Sequence, residues 1–207
     1  MKIGIDIDGV LNSHYDFSIT YGFKYCSEIG KYQLENINAF DTTDIFGWTD
    51  EIAHDFWNKY RKDLVSELPA REFASEVISK LRNLGDEIYI ITARKNYDEW
   101  FPKELQSKVE EITKKWLKEN KIIYDDIFFN IKDKGTHCKE HNIDIMIEDE
   151  TKNIKKLINN TSIIIYDAPY NRIPEFNNLT RCYSWYDIYN KINRRREKNA
   201  FSNYGKI

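Results

Sequence analysis

The chain has 207 residues, 41% of them hydrophobic, 31% charged and 14% aromatic, with a formal net charge of −3. That length holds one ordinary domain with a modest insertion and leaves two full domains cramped, while the composition supports a core and excludes wholesale disorder. The slightly acidic balance removes the broad basic footprint that duplex nucleic acid binding requires.

The first strand is expected over residues 2–7, with a sharp turn at Gly9. Residues 13–69 then interrupt the pattern, too long a stretch to stay structureless inside a compact domain. Within it, Ile52, Phe56, Tyr60 and Leu64 recur every four residues behind the acidic turn Asp50-Glu51, which predicts a small, mostly helical cap inserted after the first strand. A helix begins near Ala70, and a strand follows over 87–92. Pro102 opens the next helix, whose stripe is Leu105, Val109, Ile112, Trp116 and Leu117. Further strands are expected at 127–130, 143–147 and 162–167, with a short helix after Thr151 buried through Ile154, Leu157 and Ile158. The loop from Ala168 to Pro174 leads to a last helix opened by the capping pattern Ser184-Trp-Tyr-Asp187. Near-continuous apolar strands alternating with helices make an α/β, doubly wound, mainly parallel sheet, with its ligand site at the carboxyl ends of the strands. Residues 1–12 and 70–207 would form that core.

Cys26, Cys138 and Cys182 are odd in number and lack a CxxC spacing, which points away from a disulfide framework and toward a reducing compartment. Acids at Asp6 and Asp8 interrupt any N-terminal signal-peptide pattern, and the apolar run Ile163–Tyr166 is far too short to span a bilayer. The expectation is a cytoplasmic protein without a membrane partner.

Chemistry collects at the predicted strand ends. Asp6 and Asp8 leave the first strand together, where two acids repel unless a cation or a functional requirement holds them. Thr92 and Arg94 end the second strand, Lys132 and Lys134 follow the third, and Glu148-Asp149-Glu150 follow the fourth. Singly, these are a solvated turn, a strand-end threonine, surface lysines and an acidic first turn of a helix. Jointly they put Asp-x-Asp, Thr, Lys and Asp along one sheet edge in chain order.

In that order the residues resemble the four motifs of the haloacid dehalogenase superfamily of phosphotransferases: Asp6-Ile-Asp8-Gly9, Thr92, Lys134 and Glu148-Asp149. Ile-Thr-Ala-Arg94, Ile-Glu-Asp149 and Asp-Ala-Pro-Tyr-Asn171-Arg172 further resemble its 5′(3′)-deoxyribonucleotidase-like branch. The likeness spans residues 1–12 and 70–190 and is weak across the insertion. It implies a phosphomonoesterase in which Asp6 is the nucleophile and Asp8 the proton donor and acceptor. Oxygen-only ligands favour Mg²⁺, and the resemblance gives them as the Asp6 carboxylate, the Asp8 backbone carbonyl and the Asp149 carboxylate, with Glu148 a supporting acid behind them. Thr92 and Lys134 would hold the phosphoryl oxygens. Lys134 is preferred to Lys132 because it follows Asp133 and precedes Gly135, where a helix can begin.

Five positions keep two readings each. Arg94 contacts phosphate or pairs with a neighbouring acid; Asn171 and Arg172 contact substrate or support their loop. Trp48 and Trp57 stack on a nucleobase or fill the insertion's core, where Phe56 belongs by its stripe. His137, Cys138 and His141 lack a fourth zinc ligand, and Arg194-Arg195-Arg196 reads as a solvated helix face. The expected substrate is a small phosphorylated molecule, most simply a nucleoside monophosphate, with a sugar or other metabolite phosphate as the alternative. A phosphorylation-switch domain is disfavoured because its acids would be adjacent and its phosphoacceptor would follow the third strand; a catalytically silent module is disfavoured because every motif position is intact.

Overall fold

The structure, a computed structural model, describes the backbone of residues 1–204 and side chains through residue 198; positions 205–207 of the expected core lie outside the described residues. Six parallel strands form one sheet: β1 (Lys2–Ile5), β2 (Glu87–Ile91), β3 (Asp126–Phe128), β4 (Ile145–Glu148), β5 (Ser162–Tyr166) and β6 (Thr180–Cys182), in the order β3-β2-β1-β4-β5-β6. The chain winds outward from β1 in one direction and resumes at β4 in the other, so the reversal lies between β1 and β4. Ile5 pairs with Ile90 on one side and Ile147 on the other, which sets the ends of three strands level. Gly4 lets this centre close: a Cβ there would lie 2.7 Å from Met146 Sδ and 2.9 Å from Ile91 Cδ1.

The helices are α1 (His14–Glu28), α2 (Thr42–Phe46), α3 (Asp50–Ser66), α4 (Ala74–Asn83), α5 (Val109–Glu119), α6 (Lys134–Glu140), α7 (Thr151–Leu157) and α8 (Trp185–Tyr204). Against one sheet face, α4, α5 and α8 bury Val77, Leu81, Trp116, Leu117, Trp185 and Ile188. Against the other, α6 and α7 bury Cys138, Ile154 and Leu157. The expected capping residue Ser184 accepts from Asp187 N at 3.2 Å. Residues 13–69 carry α1–α3, which share a separate aromatic cluster of Phe17, Tyr25, Phe46, Trp48, Phe56 and Tyr60.

Three expectations need correction. The helix placed from Pro102 begins at Val109, because Gln106 Nε2 donates to the carbonyls of Glu99 and Phe101 and its own carbonyl accepts from Asp98 N, folding 98–106 into turns. The helix expected near Ala70 begins at Ala74, since Ala70 bridges to Asn12 and Arg71 N donates to Leu11 O. The strand β6 was not anticipated, being three residues long at the sheet edge. All three cysteines are free and buried. Among the described residues no helix is long and apolar enough to cross a membrane.

Candidate active site

Asp6 is the first residue beyond β1, at the reversal point, and its N–H continues the ladder by donating to Ile147 O at 3.1 Å. Its carboxylate accepts from Lys134 Nζ at 2.6 Å. Lys134 opens α6, which Asp133 caps by accepting from Thr136 N, and its ammonium is completely buried. The same Nζ donates to Glu148 Oε2 at 2.6 Å, while Glu148 Oε1 accepts from the backbone of Asp149 and Glu150. Lys132, by contrast, is exposed.

Asp149 Oδ2 accepts from the Tyr170 hydroxyl, and its Oδ1 is buried with no hydrogen-bond partner. Gly9 makes that position available: its φ is +93°, and a Cβ there would fall 1.9 Å from Asp149 Oδ2. Asn12 and Arg71 lock the turn, Asn12 Oδ1 accepting from Gly9 N at 3.0 Å and Arg71 Nη2 donating to Gly9 O at 3.1 Å.

Carboxylate oxygens of Asp6, Glu148 and Asp149 lie within 4.8 Å of one another. Three acids thus face one ammonium, an excess of two negative charges when all three are ionised. Burial, reinforced by Glu148 and Asp8 and opposed by Lys134, pushes Asp6 up to about 8. Burial together with Glu148 and Asp6 likewise raises Asp149. Burial alone would lower Lys134, but Asp6 and Glu148 outweigh it and keep the ammonium protonated. An all-oxygen donor set, a two-charge deficit and an orphaned Asp149 Oδ1 fit a hard divalent cation.

Asp8 sits differently. Burial raises its pKa, yet the Arg94 guanidinium, donating through Nε at 2.8 Å and Nη2 at 2.7 Å, holds the carboxyl well below the usual carboxylate range. Arg94 therefore pairs with an acid, and its Nη1 reaches Thr113 Oγ1 at 3.2 Å. Thr92 Oγ1 accepts from Arg94 N, leaving its own proton free to donate.

A cavity of about 980 Å³ opens on Asp6, Asp8, Thr92, Arg94 and Lys134. It is lined as well by Phe40, Trp57 and Arg61 from residues 13–69 and by Trp100 from the segment after β2. Trp57 lines this space, but Trp48 does not: it stacks on Phe46 at 4.6 Å inside the aromatic cluster of residues 13–69. Asn171 and Arg172 also lie away from the cavity. Asn171 is fully buried and donates to Asp149 O and Tyr166 O, and Arg172 pairs with Asp167 at 2.6 Å. Among the described residues, His137, Cys138 and His141 do not come together as a metal-ligating group.

Sequence reasoning passed over His14, Asn12, Arg71, Phe40, Arg61 and Tyr170. Burial lowers His14 to about 4, so the ring is neutral, parallel to Trp57 at 6.1 Å. Only Tyr170 carried a signal, lying inside the Ala-Pro-Tyr-Asn-Arg pattern, where its neighbours drew the attention.

A nucleotidase of Clostridium acetobutylicum is 28% identical over 206 residues, covering 96% of each chain. The Bacillus subtilis protein YqfW, also named for nucleotidase activity, is 25% identical over 199 residues and 95% of each chain. A haloacid dehalogenase-like hydrolase from Streptococcus pneumoniae shares the fold with a TM-score of 0.63 at 12% identity, over 93% of this chain and 98% of that one. The family model described as "5' nucleotidase, deoxy (Pyrimidine), cytosolic type C protein" matches residues 1–198. The chain belongs to that family, and is a phosphoric monoester hydrolase of the haloacid dehalogenase superfamily.

Proposed function

We propose that the chain dephosphorylates nucleoside monophosphates through an aspartyl-phosphate on Asp6. The observation that carries this reading is one cavity lined both by Asp6, Thr92 and Lys134 and by the aromatic rings of Trp57 and Phe40. Residues 13–69 act as the cap that supplies those rings, with Trp57 rather than Trp48 against the base.

In the first step an Asp6 carboxylate oxygen attacks phosphorus, the ester P–O bond breaks, and the leaving alkoxide takes a proton from Asp8. In the second, water attacks phosphorus, Asp8 takes its proton, and the acyl-phosphate P–O bond breaks to restore Asp6 and release phosphate. Arg94 presets Asp8 for the second role, since it keeps the carboxylate ionised; for the first role substrate entry must loosen that pair and Asp8 must take up a proton from solvent or from the substrate's phosphate monoanion. Lys134 uses two N–H groups on Asp6 and Glu148 and keeps a third for a phosphoryl oxygen, beside the Thr92 hydroxyl. Asp6 and Asp149 through their carboxylates, with the Asp8 carbonyl, would hold Mg²⁺, and Glu148 braces Lys134 behind them. When bound, that ion offsets the repulsion between the acids and an incoming phosphate dianion.

The test is phosphate release with Mg²⁺ from ribo- and deoxyribonucleoside 5′- and 3′-monophosphates set beside sugar phosphates, with Asp6→Asn as control. Selective turnover of nucleotides, lost by roughly 10³-fold or more in Asp6→Asn, is expected for removal of a nucleophile. Turnover confined to sugar phosphates would keep the core chemistry and overturn the nucleotide assignment.

A further inference from the structure

We infer that Tyr170 is a positioning residue for the metal ligand Asp149, setting the affinity of the site for Mg²⁺ without touching substrate. The inference rests on the metal reading above and adds to it a group from outside the acidic cluster.

The geometry is specific. Asp149 has two carboxylate oxygens, both in the buried region between Gly9 and the loop after β5. Oδ2 is engaged by the Tyr170 hydroxyl, and Oδ1 has no partner. A carboxylate anchored through one oxygen presents the other in a fixed direction, which is how hydrogen bonds behind a ligand raise metal affinity. The anchor is itself immobilised. Tyr170 is 8% exposed and sits in the single turn Pro169–Asn171, and its carbonyl accepts from Thr151 Oγ1 at 3.1 Å, at the start of α7. Asn171 ties the next residue to Asp149 O at 2.8 Å, and Arg181 of β6 holds Asn171 through its carbonyl at 2.9 Å. The Tyr170 ring meets Phe40 edge-on at 5.0 Å and Tyr15 at 5.7 Å, so its rotamer is fixed from the insertion as well. Tyr170 is absent from the cavity wall and lies behind Phe40, one of its lining rings.

The experiment titrates Mg²⁺ by calorimetry into metal-free full-length protein as wild type, Tyr170→Phe and Asp149→Asn, and then measures kcat and KM at saturating Mg²⁺. Tyr170→Phe removes one hydroxyl from a packed ring, and should weaken Mg²⁺ binding about 10–100-fold, the range for loss of a group supporting a ligand. At saturating Mg²⁺ its kcat and KM should return to wild-type values, which a general loosening of the site would not allow. Mg²⁺ affinity within twofold of wild type, or a kcat still depressed at saturation, overturns the inference while the metal reading stands on loss of binding in Asp149→Asn. If wild type binds no Mg²⁺, the metal reading fails and takes the inference with it.

Discussion

Gly9 occupies a position that no side chain can share, because the Asp149 carboxylate lies where its Cβ would be and its φ of +93° is costly for any L-residue. Gly9→Ala should therefore push Asp149 away from Asp6, with Mg²⁺ affinity and turnover both falling by about 10²-fold, near the upper bound for a displaced ligand; calorimetry and phosphate release check it, and unchanged metal binding would refute it. The acidic cluster also fixes a pH dependence. In metal-free protein Asp6 is raised from 3.8 to about 8, so the folded state holds a proton that the unfolded state releases, and its contribution to stability is full below about pH 4 and lost as pH rises through 8. A divalent cation competes with that proton, so the melting-temperature difference between Mg²⁺ and EDTA should be small at pH 5 and grow steadily to pH 8. A difference independent of pH would contradict the assignment of Asp6 to the metal site.

At the scale of elements, the cavity is closed where α3 meets the segment after β2. Arg61 Nε donates to Asp98 Oδ2 at 2.8 Å, His54 packs on Trp100 at 4.5 Å, and Val65, Phe101 and Val109 form a small buried cluster. Asp98→Ala should release this wall: KM rises several-fold with a smaller change in kcat, and residues 95–108 become sensitive to limited proteolysis. Unaltered KM and unaltered cleavage would show that the wall stands without the ion pair. This segment is also where sequence reading went astray. Leu105, Val109 and Ile112 continue the three-and-four spacing of a helix, and only the side chains of Asp98 and Gln106, bonding to nearby backbone and to Arg61, reveal that the first part is turns. The central strands were readable because burial on both faces makes them continuously apolar, whereas Thr180-Arg181-Cys182 at the edge has no such mark. That Asp6, Asp8, Thr92, Lys134 and Asp149 lie together was legible because each follows a strand, and parallel strands end at one edge. Trp48 could not be told from Trp57, since both are aromatic within one aromatic segment and only tertiary packing turns one inward.

Across the whole molecule the sheet with its covering helices and the aromatic cluster of α1–α3 are separate bodies of apolar contact, bridged by the small cluster of Val65, Phe101 and Val109. The acidic cluster hangs from the first and Trp57 of the cavity wall packs on the second, so the candidate site draws on both parts of the fold. Phe56 is fully buried at the centre of the second cluster, against Tyr25, Trp48, Trp57 and Tyr60. Phe56→Ala should cost about 3–5 kcal/mol of local stability, the usual effect of emptying such a site. Because few of those contacts pass to the sheet, the loss should stay local. Native-state hydrogen exchange is expected to show amides of α1 and α3 losing protection while those of β1 and β4 keep it, with Mg²⁺ affinity preserved and KM for the substrate raised. Equal loss of protection in β1 and β4 would mean that the insertion and the sheet unfold as one unit, and that closure of residues 13–69 over Asp6 cannot be a motion independent of the catalytic core.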